Sequence, residues 1–148
     1  MASPSRFESR IAKISYSPET VYNFASDMRN FRRFVPSGTF SNPDFRQDSC
    51  SFIVNPVGTV KVFIKDRVLS NKIVYSGNAL LQNDFDMILD IRNSAGGHSE
   101  IKLSVEAELN PFLLMLAKEP LDKFLETIMD EMEKFEGWND VSADTESP

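Results

Sequence analysis

Few side chains in this sequence could carry chemistry, and their spacing argues against most of the chemistry they suggest. Histidine occurs once, at His98, and cysteine once, at Cys50. A zinc-type site gathers about four nitrogen or sulfur ligands, more than one of each can supply. A Ser-His-Asp arrangement needs a buried imidazole beside a nucleophile, whereas His98 follows the turn residues Gly96-Gly97. That glycine pair leads into a strand and not a helix, so it is not a phosphate-cradling loop. Cys50 has no partner for an internal disulfide, and at the start of a strand it reads as an inert buried thiol. No metal and no cofactor are expected.

The carboxylates need closer weighing. Asp84, Asp86 and Asp90 alternate with apolar residues, which by strand parity puts them on a solvent face. Asp66 ends the run Val60-Lys61-Val62-Phe63-Ile64-Lys65-Asp66. If Val60, Val62 and Ile64 face inward, so does Asp66, and a buried carboxylate can act as a general acid or base with a raised pKa. Near a strand end the solvated reading outweighs that one. No convincing acid–base pair can be named.

These residues are carried by an ordinary globular chain of 148 residues with a net charge of −6. That charge repels nucleic-acid phosphates and anionic lipid. The short basic run Arg29-Asn30-Phe31-Arg32-Arg33 reads as the wet side of a helix. No signal-peptide stretch and no run of about 18 apolar residues is present. With one cysteine, the expected setting is the reducing cytoplasm. Twelve Phe against three Tyr and one Trp supply aromatic volume with little polar handle, which belongs in a core or a cavity.

Residues 6–16 alternate as a first strand. Ser17 caps a helix that begins with Pro18, and Val21, Phe24, Ala25 and Met28 follow helical spacing. Phe31, Phe34 and Val35 continue the stripe into a second short helix that Pro36 ends. Strands are then expected over 39–45, 50–55, 58–69, 72–76, 85–92 and 98–109, with turns at 55–56, 70–71, 77–78 and 93–97. Within 85–92 only Ile88 breaks the alternation, and within 100–109 nothing does, so both are half-buried antiparallel strands.

Asn110-Pro111 caps a long last helix, and Leu121, Phe124, Leu125, Ile128, Met132 and Phe135 form its apolar stripe. Pro120 should bend or interrupt it. Its first turns, Phe112-Leu113-Leu114-Met115-Leu116-Ala117, are apolar all round. A helix lying on a sheet buries one side only, so the outer residues should meet a second copy of the chain, the small helices, a ligand or lipid. A homodimer is one of these readings. Residues 6–136 make one domain, and 137–148 read as a disordered acidic tail.

The order of elements resembles the helix-grip fold of the START, polyketide-cyclase and birch-pollen-allergen superfamily, the SRPBCC proteins. The resemblance rests on Phe7-Glu8-Ser9, on Ser17-Pro18-Glu19-Thr20-Val21-Tyr22-Asn23-Phe24, and on Asn30-Phe31-Arg32-Arg33-Phe34-Val35-Pro36. It is completed by Ala107-Glu108-Leu109-Asn110-Pro111-Phe112 with Lys118-Glu119-Pro120-Leu121, as in small bacterial members. It implies an α+β fold: a curved antiparallel sheet of about seven strands, two short helices and a long closing C-terminal helix.

A sheet so curved has more concave area than one helix can fill, so a cavity is expected beneath it. The expected function is binding, transport or sensing of a small hydrophobic or lipid-like molecule. Its expected lining is Phe52, Val62, Phe85, Met87, Leu89, Leu103, Val105, Met115, Phe124 and Ile128. The runner-up is a cyclase- or hydrolase-type enzyme using Asp66 or a Tyr hydroxyl, and a third reading is an interaction module with a filled core. Catalytic residues are not assigned.

Overall fold

A computed structural model describes residues 5–34, 41–54, 58–79 and 83–138. The expected strand start at 39–40, Pro36 and the turn at 55–56 lie outside them. Strands β1 (Ser5–Glu8) and β2 (Ala12–Ile14) precede helix α1 (Pro18–Ala25) and a 3-10 helix (Met28–Phe34). Six more follow: β3 (Ser41–Phe45), β4 (Ser49–Val54), β5 (Gly58–Val68), β6 (Lys72–Ala79), β7 (Asn83–Ser94) and β8 (His98–Ala107). Helix α2 (Pro111–Lys134) is the last described element. All strands join one open antiparallel sheet in the order β1-β8-β7-β6-β5-β4-β3, with β2 also paired to β8. This is the α+β helix-grip arrangement.

The helix starts follow from local chemistry. Ser17 accepts a hydrogen bond from the Thr20 backbone N–H, and Asn110 accepts one from Leu113 at 2.9 Å. Each satisfies a donor that the first helical turn would leave orphaned, and a proline follows each cap. Helix α2 runs unbroken through Pro120. Proline deletes one backbone bond there without ending the helix.

The expected first strand is in fact two. Glu8 pairs with Ser104 and Ala12 with Ile101, so four steps on one side match three on the other, a bulge. Ser9 fills the gap: its N–H donates to the Leu103 carbonyl and its hydroxyl accepts from the Leu103 N–H. Next to this bulge, Arg10 reaches across to α2 and donates to Asp130 at 2.7 Å and Glu133 at 2.9 Å. The Lys13 backbone N–H donates to the other Glu133 oxygen.

The hydrogen bond from Arg10, with the one from Lys13, holds the Glu133 carboxyl below its usual range. A carboxyl depressed in the folded state stabilises above its unfolded pKa and loses that contribution as pH falls through the folded value. The groups are partly exposed, so Glu133→Gln should cost at most about 1 kcal/mol at neutral pH and progressively less as pH falls below the unfolded carboxyl range, read from urea midpoints across that range.

Gly77 and Asn78, expected as a turn, lie inside β6. A Cβ at Gly77 would sit 2.3 Å from the Lys61 carbonyl oxygen and 2.6 Å from the Phe85 ring. Glycine there lets the neighbouring strand and the Phe85 ring close in. Gly77→Ala should lower stability by about 1–3 kcal/mol, because the carbonyl is backbone and cannot swing away. An unchanged urea midpoint would refute that close approach. The separate turn expected at 93–97 is found at residues 95–97, where Gly96 and Gly97 both take positive φ.

The core lies between the concave sheet face and the helices. Leu89 is 0% exposed and Leu103 4%, while Asp90 and Lys102 are half-exposed on the opposite face. Just past residue 136, where the domain is expected to end, one side chain is firmly packed. Trp138 is 1% exposed and packs on Phe24, Phe34 and Phe135 at ring separations of 4.9, 5.7 and 5.6 Å.

Candidate functional site

The register of the sheet decides which side chains share its concave face. Tyr75, Met87 and Val105 form one cross-strand row, and Ile73, Leu89 and Leu103 the next. Above them lie the 3-10 helix and the second half of α2. Between these layers is an apolar cavity of about 60 Å³. A single water needs roughly 10–15 Å³ by a comparable measure, so this is more than a packing defect.

The sheet contributes Phe45, Cys50, Phe52, Val62, Tyr75, Met87, Leu89 and Leu103 to its wall. The 3-10 helix contributes Met28 and Phe31, and α2 contributes Phe124, Ile128 and Met132, one turn apart. Phe31 meets Tyr75 edge-on at 5.8 Å, and Phe45 stacks over Phe52 at 6.4 Å. Both geometries suit the ring quadrupoles.

Seven of the ten residues expected to form the lining do line this cavity: Phe52, Val62, Met87, Leu89, Leu103, Phe124 and Ile128. Three do not. The Phe85 ring lies over Gly77. Val105 packs into the continuous core one strand nearer β1. Met115 is 80% exposed. At about 100° per residue, the nine positions from Met115 to Phe124 place the two on opposite sides of the helix. Leu113 and Ala117 face inward instead, leaving Phe112 at 67% and Leu116 at 48% exposure beside Met115. The small helices do not cover this outer face.

Met28, Phe31, Phe45, Cys50, Tyr75 and Met132 complete the wall without having been expected there. A signal existed for some of them. Met132 follows Ile128 by one turn in the apolar stripe, and Tyr75 alternates with Ile73 in β6.

The groups that could have done acid–base chemistry are placed elsewhere or tied up. A bulge between Ile64 and Asp66 makes Ile64 pair with Tyr75 and Asp66 with Val74. The extra residue reverses parity, so Asp66 is exposed on the convex side, its carboxylate accepting the Arg67 N–H. The Tyr75 hydroxyl donates to the Ala25 carbonyl at 3.0 Å, and burial pushes its pKa well up. Burial, and then the nearby Asp44 charge, push the Cys50 thiol up to about 12, so it stays protonated.

Among the described residues, no charged side chain lines the cavity and no group of three or more His, Cys, Asp or Glu converges. Asp27 and Arg29 pair at 2.7 Å outside it, where burial alone would raise the Asp27 carboxyl but the Arg29 bonds outweigh that and hold it low. Among the described residues, no helix is long and apolar enough to cross a membrane.

The element order and sheet topology define a helix-grip fold, and solved structures bear it out. A norcoclaurine synthase point mutant from Thalictrum flavum, in complex with a transition-state analogue, superposes with a TM-score of 0.69. It is 13% identical over 90% of this chain and 96% of the synthase. A START superfamily protein from Mycobacterium smegmatis gives a TM-score of 0.60 at 13% identity, over 87% and 97% of the two chains. A Rhizobium loti protein gives 0.58 at 16% identity, over 86% and 96%. These likenesses establish the helix-grip fold. No protein-family model matches the chain, and no curated protein matches its sequence.

Proposed function

We propose that this protein binds a small apolar molecule in the cavity between sheet and C-terminal helix, without transforming it. The observation that carries this reading is the cavity itself, about 60 Å³ of space walled by aromatic, aliphatic and thioether side chains. A protein working only through its surface would gain by filling it, since apolar voids forfeit contacts on every side. Enzymes do occur on this fold, and the synthase above is one by name. Catalysis here would need a proton donor and acceptor at the bound molecule, and among the described lining residues only the Tyr75 hydroxyl and the raised Cys50 thiol carry a titratable proton.

Native mass spectrometry of the chain purified from its own host is the direct test. The expected result is a bound mass that leaves on collisional activation and is absent from Ile128→Phe, whose larger side chain occupies the space. A bare-chain mass for the wild type, with no uptake from an added pool of small apolar compounds, would overturn the proposal.

A further inference from the structure

The cavity wall also constrains the chemistry of its occupant, an inference that rests on the binding function proposed above. Among the described lining residues only Tyr75 could offer a strong hydrogen-bond donor, and its proton is committed to the Ala25 carbonyl. A carboxylate or phosphate entering the cavity would find no donor, and an ammonium no counter-charge. Burying an ion without a partner shifts its pKa or excludes it.

Size sets the second constraint. At about 60 Å³ the space falls below the roughly 150 Å³ of apolar cavities that hold benzene. A long acyl chain would need it to grow several-fold. One ring needs much less, and Met28, Met87 and Met132 in the wall can yield that, since thioether chains repack with little loss. The remaining wall includes five aromatic rings, which favour edge and offset contacts with another ring.

We propose that the ligand is an uncharged molecule of a single aromatic ring without an ionised head group. This narrows the lipid-like expectation drawn from the resemblance: fatty acids are excluded by both charge and length.

The test uses the full chain with 13C-labelled methionine methyls, titrated at neutral pH with toluene, benzoate or decanoate. Toluene should move the Met28, Met87 and Met132 signals and leave Met115, on the outer helix face, and Met129, outside the cavity wall, in place. Benzoate should bind at least about 100-fold more weakly than toluene, the factor expected for burying an unpaired carboxylate. Benzoate within tenfold of toluene, or decanoate binding more tightly than toluene, would overturn the ligand class while leaving cavity binding intact. If none of the three moves the wall methionines, both the class and the binding function fall.

Discussion

A Leu103→Asp variant should fail to hold the native fold, losing about 4 kcal/mol or more. Leu103 is 4% exposed on the concave face, opposite Leu89, and lines the cavity. Among the described residues no cation faces that space, so the new carboxylate would be buried without a partner, at a cost of several kcal/mol. Folded domains of this kind hold only about 5–15 kcal/mol in total, so most of the margin goes. Met115→Ala is the matched control. At 80% exposure it should shift the urea midpoint by no more than about 0.5 kcal/mol. Equal losses in the two variants would mean that the helix is turned differently from the arrangement described here.

Trp138→Ala should cost about 3–5 kcal/mol, the range for removing a fully buried aromatic side chain. Its ring closes a cluster in which Phe24 meets Phe135 at 5.2 Å and Phe34 meets Phe135 edge-on at the same distance. That cluster ties the end of α2 to α1 and the 3-10 helix, beside the Tyr16 hydroxyl bond to the Glu136 carbonyl. The Trp138 Nε1–H is buried and has no acceptor among the described residues. Trp138→Phe should therefore recover most of the loss, since it keeps the ring and removes an unsatisfied donor. Urea unfolding followed by circular dichroism separates the two variants. A tail that carried no structure at this position would leave all three proteins alike.

The same residues divide what could be read from sequence from what could not. Ser17 and Asn110 announce their helices because a cap acts within three residues of its own position. The alternation over Phe85–Ile91 and Ile101–Leu109 identifies a wet and a dry face because strand parity is local. Seven cavity residues were legible for that reason: each sits on the dry face of a strand or on the stripe of α2.

Asp66 is solvated, as its place near a strand end favoured, but the reason was not legible. Parity counted from Val60 fails at the bulge, and nothing between Ile64 and Asp66 marks which residue is extra. Trp138 was hidden by its neighbours, since an acidic, polar C-terminus reads as a tail whatever one aromatic ring does at its edge. Gly77 looked like punctuation and turned out to be clearance for the Phe85 ring and the Lys61 carbonyl.

By itself the sequence determined the helices and their caps, most of the strands and the apolar faces, because each depends on residues near one another along the chain. Only the tertiary structure decided that the cavity exists, that Asp66 points out of it, that Tyr75 spends its proton on Ala25, and that Met115 faces outward. Those outcomes depend on how strands distant along the chain fall into register and how a helix is rotated on them, and one inserted residue is enough to reverse a side chain.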